Sequence, residues 1–333
     1  MANTIQDKLA YLGETKGLIK QAIVAKGVSV SESDTFRSYA NKIEAIQTGG
    51  GGTVNLPDGT KFVNSTFTTI SDSIISYLET QTDLSGIFEN CTSLTTVPSF
   101  NANKATSMNN MFNGCGSLQT VSQINTPNVT NMNQMFYGCG SLQTVSQINT
   151  PNVTNMNRMF YNCRLLQTIS QFDTIKVNNM GFMFAGCISL TKVPLFSTSN
   201  VNDMSYMFGY CSSLITVTAF DTSSVKYMGG MFSDCTNLTT VPLLNVSSVT
   251  DMYRMFGGCE SLTNLGGFTG LKLSLDLSES PLLMVDSVMN VINNAADMAS
   301  SPKTLTLHKD VFNKLSADQI ATASAKGWNI ASR

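Results

Sequence analysis

The sequence predicts an α/β solenoid of about eight turns with 24 residues in each turn, and three observations support this fold class. The stretch GCGSLQTVSQINTPNVTNMN occurs at 114–133 and again, unchanged, at 138–157. The chain has 8 cysteines, and each lies 24 residues after the one before it. A phenylalanine stands three residues before every cysteine. Repetition at a fixed period of roughly 20 to 50 residues is typical of solenoids, whose units pack against their sequence neighbours.

The apolar residues before each cysteine predict a short helix. In one copy Val129, Met132, Met135, Phe136 and Cys139 share the face of a two-turn helix, because their spacing follows the helical period. A Thr or Asn directly before this helix can cap it, and Gly or Asn before most of the cysteines can end it. The predicted caps are Thr106, Thr130, Thr154, Asn178, Asn202 and Thr250.

The residues after each cysteine predict a short strand followed by a turn. Leu142, Val145 and Ile148 alternate with polar residues there, as half-buried strands do. The turn sequences that follow are NTPN, DTSS or STSN. One repeat is therefore predicted to be a strand, a turn and a helix too short to be stable unless the repeats stack.

The cysteines are predicted to form a buried row of free thiols between the Phe and Leu columns. A zinc site would need paired ligands, but the sequence has no CxxC motif and one histidine, His308, so we expect no bound metal. Disulfides stay open as an alternative, because stacked cysteines would lie about 5 Å apart, within the range that a disulfide spans. The methionine columns are likewise assigned to the core.

The composition argues against several classes of partner. Only 13% of the residues are charged, against about 25% in an average soluble domain. The net charge of -2 gives no electrostatic reason to expect nucleic acid or an anionic membrane as partner. No run of apolar residues is long enough for a membrane span, and the first residues lack the apolar core of a secretory signal. We expect synthesis in a cytosol and no membrane insertion.

Residues for catalysis do not come together in the sequence. A nucleophile paired with a base would depend on His308, which lies outside the repeats. The acidic residues show no paired spacing: Asp173, Asp203, Asp221, Asp234 and Asp251. Gly49–Gly52 lack the Lys-Ser/Thr pair of a phosphate-binding loop. We therefore expect no enzymatic activity, no catalytic residue and no cofactor.

The repeat pattern VxxMxxMFxxCxxLxxVxxFxT, at about 84–268, resembles the leucine-rich-type repeats of bacterial surface proteins. These are the BspA-like and Mycoplasma-type surface proteins. The resemblance implies a right-handed, leucine-rich-repeat-like α/β solenoid that is used for binding and not for catalysis.

The N-terminal part is predicted to attach the protein. Residues 1–48 have the apolar spacing of two helices and resemble a short N-terminal module common in bacteriophage tail and fibre proteins. That resemblance implies that 1–48 bind another virion protein or self-associate, and we expect a homo-oligomer. Residues 49–70 are predicted as a Gly linker and a capping hairpin with its turn at Pro57-Asp58-Gly59.

The remaining boundaries follow from where the period begins and ends. Residues 71–268 are assigned to the solenoid and 269–333 to an α/β cap that covers its C-terminal end. The predicted strands of this cap are LKLSLDLS and KTLTLH, and its predicted helices are PLLMVDSVMNVINNAADM and SADQIATASAKGW. This region resembles the C-terminal caps that accompany such repeats in phage and surface proteins.

The candidate binding residues lie on the predicted helix side, where the copies differ most. Exposed Tyr and Arg are typical of contact surfaces, although tolerated drift between the copies would leave the same pattern. The threonine column on the strand side is assigned a structural role. The candidates are Tyr137, Arg158, Tyr161, Phe182, Tyr206, Tyr210, Tyr227, Tyr253 and Arg254.

The sequence thus predicts a phage virion protein, associated with a tail or fibre and made in the host cytoplasm. Its solenoid would bind a host glycan or protein, or a neighbouring virion protein. The alternative is a bacterial cell-surface adhesin of the BspA-like type. An enzyme such as a polysaccharide depolymerase is the weakest hypothesis, because no catalytic group is identified.

Overall fold

The computed structural model describes residues 15–21, 23 and 59–333. Residues 15–21 and 23 are helical, in agreement with the helices predicted there. The rest of the predicted attachment module, the Gly linker and most of the predicted turn at Pro57-Asp58-Gly59 lie outside the described residues.

Successive repeats stack in parallel, each residue beside its counterpart 24 positions later, so the predicted solenoid is confirmed. Two-residue strands pair with this offset: Thr96 lies beside Thr120, and Thr120 beside Thr144. The strands are β1 (Thr96–Val97), β2 (Phe100–Asn101), β3 (Thr120–Val121), β4 (Ile124–Asn125), β5 (Thr144–Val145), β6 (Thr240–Val241), β7 (Leu244–Asn245), β8 (Asn264–Leu265) and β9 (Phe268–Thr269). The sheet orders are β1-β3-β5, β2-β4, β6-β8 and β7-β9.

A further column of parallel bridges runs along the other side of the stack, and we call it the bridge column. It contains the residue eight positions before each cysteine, and the bridges are continuous from the first repeat to the last. Its members are Asp83, Ser107, Asn131, Asn155, Asn179, Asp203, Tyr227 and Asp251.

The core lies along the axis of the stack. The phenylalanines three positions before the cysteines are at most 1% exposed, and the cysteines, Met and Leu columns are buried with them. Consecutive rings of this column stack with their centroids 5.4 to 5.9 Å apart. No repeat has a core of its own, so it is the stacking of repeats that removes the apolar side chains from water. This burial is the main term that stabilises the fold.

The predicted helix of each repeat is wrong: the chain forms consecutive tight turns there. In the repeat of Cys115, the N–H groups of Met111, Asn113 and Cys115 donate to the carbonyl three residues earlier. The alternate N–H groups, such as that of Asn110, donate to the next repeat. A helix would use all of them internally, so the stack competes with the helix for half of the backbone donors.

Backbone conformation explains why this segment turns. Asn110 and Gly114 have φ of 57° and 74°, each as the third residue of a four-residue turn, which is the conformation of a type II turn. The left-handed conformation predicted for the residue before the cysteine is therefore present, but it belongs to a turn and not to a helix end.

The predicted caps also act differently. The hydroxyl of Thr130 donates to the carbonyl of Thr106 in the preceding repeat, 3.3 Å away, and so links two turns. The capping contact comes from the next residue: Oδ1 of Asn131 accepts the N–H of Asn133 at 3.0 Å. This turn between a side chain and the backbone two residues later recurs along the bridge column.

The cysteines are free and buried, which confirms the buried row of thiols and overturns the disulfide alternative. Each thiol donates to the carbonyl of a phenylalanine in the preceding turn; Cys139 Sγ lies 3.1 Å from the oxygen of Phe112. Burial raises the pKa of Cys139 and Cys187 far above the ordinary thiol value, and it raises the pKa of Cys235 to about 12. These thiols are inert core groups.

An additional turn covers the N-terminal end of the stack. The described part of the predicted hairpin, 59–70, runs parallel to the first repeat, where the N–H of Phe62 donates to the carbonyl of Ile87. The ring of Phe62 stacks on Phe88 at 5.4 Å, and Phe62 also accepts the thiol of Cys91. Helix α1 (Asp72–Leu78) then leads into the first repeat.

The C-terminal part forms a three-stranded parallel sheet with helices. Its strands, in the order β10-β11-β12, are β10 (Leu275–Leu277), β11 (Lys303–Leu307) and β12 (Trp328–Ser332). The helices are α2 (Val285–Asn294), α3 (Lys309–Phe312) and α4 (Ala317–Ala325). The two predicted strands and the two predicted helices are confirmed, whereas β12 and α3 were not predicted. His308 accepts the N–H of Asp310 at 3.2 Å and caps α3.

No helix in the described ranges is both long and apolar enough to cross a membrane.

Candidate binding surface

The nine candidate residues all lie in the segment of tight turns, between eight and one positions before a cysteine. Because the repeats stack in register, this segment forms one side of the solenoid, which we call the turn side. The structure divides the candidates into two sets that differ in what their side chains contact.

The first set forms a continuous ring stack of Tyr137, Tyr161, Phe182 and Tyr206 across four successive turns. The ring centroids of Tyr137 and Tyr161 are 4.8 Å apart, those of Tyr161 and Phe182 6.4 Å, and those of Phe182 and Tyr206 5.0 Å. The guanidinium of Arg158 lies 4.8 Å from the centre of the Phe182 ring. The planes of Tyr137 and Tyr161 are 5° apart and those of Phe182 and Tyr206 are 9° apart, whereas Tyr161 and Phe182 are tilted by 52°. The stacked pairs offer mainly their edges to solvent. We therefore assign this set a stabilising role.

The ring stack passes from one column of the repeat to another. No side chains collide, because glycines stand in these columns where a larger side chain would meet a ring. Tyr137 and Tyr161 stand two positions before their cysteines, whereas Phe182 and Tyr206 stand five before theirs. A Cβ at Gly209 would lie 2.9 Å from Cδ1 of Tyr206. The next repeat has glycine in the Tyr206 column, where any side chain would collide with the Tyr206 ring.

Five of the candidates have a backbone conformation that bulky residues rarely adopt. Their φ angles are positive: Arg158 54°, Phe182 57°, Tyr206 51°, Tyr210 63° and Arg254 52°. This left-handed conformation costs roughly 1–2 kcal/mol for a residue with a side chain. The turns impose this conformation at the same two positions of every repeat, as at Asn110 and Asn162, so these five positions differ from the others only in the size of their side chains. Stacking offsets the strain for Arg158, Phe182 and Tyr206.

The second set is the group of exposed tyrosines, Tyr210, Tyr227 and Tyr253, whose side chains are 52%, 47% and 75% exposed. Within 59–333 none of them stacks on another ring, so their faces are open to solvent. Arg254 is exposed beside Tyr253. These four residues occupy the last three repeats and form the better candidate for a binding surface.

Two of these tyrosines stand where the other repeats have small polar residues or glycine, and Tyr227 removes a contact that stabilises the turn. Tyr227 belongs to the bridge column, in which the other members are Asn, Asp or Ser. Asp203, one repeat earlier, accepts the N–H of Ser205 at 2.9 Å, a bond that a phenol at this position does not form. Tyr253 stands where the other copies have Ser, Asn or Gly.

A cleft of about 340 Å³ lies where the last repeat meets the C-terminal sheet. Tyr253 and Arg254 line it, together with Asp276, Glu279 and Arg333, which sequence reasoning did not single out. The sequence feature that could have indicated a site here is the loss of the 24-residue period after residue 268.

Three exposed apolar residues on the strand side were also missed. Leu195, Ile215 and Leu243 are 58%, 52% and 48% exposed, and they interrupt columns of Gln, Thr and Ser. The interruptions were visible in the sequence.

No cluster of three or more potential metal ligands occurs in the residues that the structure describes. The acidic residues instead stabilise turns: Asp251 accepts the N–H of Tyr253 at 2.9 Å, and Asp221 accepts the hydroxyl and N–H of Ser223. The hydroxyl and N–H of Ser223 hold the pKa of Asp221 below its usual range.

The repeats match a known family. Residues 82–194 and 189–269, more than half of the chain, match the family described as "Mycoplasma protein of unknown function, DUF285". The chain belongs to this family, so the resemblance to Mycoplasma-type repeats is confirmed. No curated protein matches the sequence.

Several solved structures are similar in part. A leucine-rich repeat protein from T. pallidum is 22% identical, with a TM-score of 0.28, over 54% of this chain and 69% of that one. A leucine-rich cell surface protein from Faecalibacterium prausnitzii A2-165 is 16% identical, with a TM-score of 0.32, over 56% and 76%. TLR13 in a complex with ssRNA13 is 14% identical, with a TM-score of 0.33, over 59% and 31%. Similarity at this level carries no information on ligand or activity.

Proposed function

We propose that this is a non-catalytic binding protein whose turn side contacts a host glycan or protein through Tyr210, Tyr227, Tyr253 and Arg254. The observation that carries the proposal is the exposure of three tyrosines at turn positions, one of which removes a stabilising side-chain contact.

The chemistry of these residues suits recognition. A tyrosine offers an apolar ring and a hydroxyl group at a small cost in side-chain entropy, and Tyr and Arg are enriched where binding energy concentrates. Tyr210 and Arg254 are also held at positive φ without a stacked ring that would offset the strain. A repeat array displays such residues on a rigid surface, because its core is uniform from turn to turn.

Between the two settings, we favour a bacterial cell surface over a virion, because membership in a family described from Mycoplasma proteins supports a bacterial protein. The virion hypothesis keeps one support, the phage-like sequence of 1–48. Attachment or self-association through 1–48 also remains a prediction. Fractionation of producing cells distinguishes the settings: protein on the envelope supports the proposal, and protein only in purified phage particles contradicts it.

The test of the binding role uses substitutions that restore the residues of neighbouring repeats. Y227N gives the bridge column its usual residue, and Y253N matches Asn109 and Asn133. We expect the double variant to keep or raise its melting temperature and to lose most binding of the labelled protein to host cells. The control is Y161A, which interrupts the ring stack: it should melt earlier and, when folded, bind as the wild type does. Unchanged binding by Y227N/Y253N would contradict the proposal.

A further inference from the structure

Backbone hydrogen bonds join neighbouring repeats along two ladders, one on the turn side and one on the strand side, which contains β1 to β9. The turn-side ladder is complete through the middle of the stack. The N–H of Met180 donates to the carbonyl of Asp203 at 3.0 Å, and the N–H of Met204 donates to that of Tyr227 at 2.9 Å. The bridge column is likewise continuous, so the turn side ties each repeat to the next.

The strand-side ladder is interrupted in the middle of the stack. The N–H of Ser146 donates to the carbonyl of Val121 at 2.8 Å. The equivalent N–H groups of Ser170 and Thr218 have no acceptor within 59–333, and Pro194, between them in this column, has no N–H. No strand forms between β5 and β6. We call this stretch the ladder gap; it comprises the strand side of the repeats of Cys163, Cys187 and Cys211.

The adjacent column shows the same loss over the same repeats. The N–H groups of Gln119 and Gln143 donate to the preceding repeat at 2.8 and 3.0 Å. In the gap, the N–H of Thr191 forms a longer bond of 3.3 Å, and those of Gln167 and Ile215 have no acceptor in the C-terminal 275 described residues, 59–333. The gap therefore extends over three repeats and is not a defect of one residue.

Three consecutive phenylalanines in the core explain the gap. Elsewhere in their column a phenylalanine lies beside a smaller side chain and the ladder is intact: Phe100 pairs with Ile124, and Phe268 with Leu244. Protein cores are close-packed, so extra side-chain volume displaces the backbone around it. The three residues that lie beside one another in the gap are Phe172, Phe196 and Phe220.

The spacing of the rings shows that the stack is wider away from the turn side. Between the repeats of the gap, the ring centroids of Phe182 and Tyr206 on the turn side are 5.0 Å apart. The centroids of Phe184 and Phe208, in the core, are 5.9 Å apart between the same repeats. In the core the first two repeats are 5.5 Å apart by the same measure. The gap is therefore a wedge whose narrow edge is the turn side.

We propose that the ladder gap is a bending point of the solenoid, where the strand side opens and closes about the turn-side ladder as a hinge. Outside the gap, hydrogen bonds on both sides oppose this motion, and segments with unpaired backbone groups open at lower free energy. The exposed tyrosines lie in the repeats of Cys211, Cys235 and Cys259, so bending changes their direction relative to the first repeats. This inference goes beyond the proposed function and holds whether or not the tyrosines bind a host surface.

The first experiment compares distances on the two sides of the gap by pulsed electron paramagnetic resonance of the full chain. Nitroxide labels at Q123C and L243C lie on the strand side, and labels at T106C and K226C lie beside the bridge column. Both pairs join the same two repeats, and all four positions are exposed, whereas the native thiols are buried. We expect the strand-side distance distribution to be at least twice as wide as the other. Equal widths would overturn the proposal.

The second experiment separates the three phenylalanines. F196I leaves Phe172 and Phe220 beside aliphatic side chains only, as Phe100 lies beside Ile124. We expect the N–H of Thr218 to exchange with solvent deuterium at least fivefold more slowly, and the strand-side distance distribution to narrow. The control, F100I, makes the same substitution where the ladder is complete and should change neither quantity.

The remaining outcomes are also decisive. A folded F196I with wild-type exchange at Thr218 and wild-type distances would show that the phenylalanines do not cause the gap. If F196I does not fold, F196L, which matches Leu244, makes the same test. Wide distributions for both label pairs would show a stack that is loose on both sides and has no hinge, which also overturns the proposal.

Discussion

Side chains at one position of the repeat meet nearly the same surroundings in successive turns, so the chain contains its own comparisons at the scale of single residues. One column contains five buried threonines, and the hydroxyl of one of them lacks the hydrogen bond that the other four form. The members are Thr126, Thr150, Thr174, Thr198 and Thr222. These residues allow hydrogen bonding and packing to be measured separately.

The first prediction concerns T174V and T198V. The hydroxyl of Thr174 donates to the carbonyl of Ser197 at 2.9 Å, whereas the hydroxyl of Thr198 is buried without a partner in 59–333. T174V removes this hydrogen bond and should lower the free energy of unfolding by about 1 kcal/mol. T198V has the same shape change and should be neutral or stabilising. Urea denaturation measures both; equal losses would contradict the assignment.

The second prediction uses three glycines in different surroundings. G116A should be nearly neutral, because its φ is not positive and nothing lies within 4 Å of the new Cβ. G138A, at φ of 71° in open surroundings, should lose about 1 kcal/mol. G230A combines φ of 61° with a collision against the Tyr206 ring, and should lose the most.

The Tyr206 contact is checked by a double-mutant cycle. In a Y206N background, G230A should cost only about as much as G138A, because the colliding ring is gone. A cost of G230A that does not depend on residue 206 would show that the ring is not its cause.

At the scale of elements, the thiol row gives the protein a predictable response to alkali. Burial raises the pKa of most column thiols, whereas a thiol in the unfolded chain titrates at about 8.5. Below that pH the thiols are protonated in both the folded and the unfolded state, so their contribution to stability is fully present. Above it the unfolded chain loses protons that the folded chain keeps, so stability falls as pH rises toward the folded pKa.

The expected fall is up to about 1.4 kcal/mol per pH unit for each buried thiol, once the pH exceeds the unfolded pKa. Urea midpoints between pH 7.5 and 9.5 measure it. C187A should be less stable than the wild type at pH 7.5. Its loss of stability with rising pH should be smaller by the contribution of one thiol. Urea midpoints that stay constant over this range would mean that the thiols are exposed to water in the folded protein.

The elements also show what sequence could predict. The stack and its core followed from columns such as Phe112 and Cys115, because identical spacing forces identical surroundings. The helix was wrong because spacings of three residues fit a helix and a series of four-residue turns equally. Gly86 and Gly230, in the same column as Asn110, were the local signs of a positive φ.

The candidate surface was predictable only in part. Tyr227 and Tyr253 stand out as exceptions within their columns, so their exposure could be inferred. The ring stack could not, because it depends on which side chains face each other after the repeats stack.

At the scale of the whole molecule, the stack behaves as a one-dimensional array with two different ends. Phe62 and the turn around it continue the core at the N-terminal end, whereas a cleft lies between the last repeat and the C-terminal sheet. Stability in such arrays is approximately a sum over repeats and their interfaces.

The last prediction is that a whole repeat can be removed. Deletion of 115–138 joins Gly114 to Cys139 and keeps every column in register. The product should fold with seven buried thiols and a modestly lower melting temperature, because one interface is lost. Deletion of 115–126 puts core residues in the wrong columns and should prevent cooperative unfolding. Circular dichroism during heating tests both, and an unfolded 24-residue deletion would refute the array.

The duplicated stretch at 114–133 and 138–157 has a consequence for reach. Each copied turn adds about 4.8 Å to the length of the rod and leaves the chemistry of both ends unchanged. Gene duplication in steps of 72 nucleotides therefore sets the distance between the N-terminal end of the stack and the cleft at its C-terminal end.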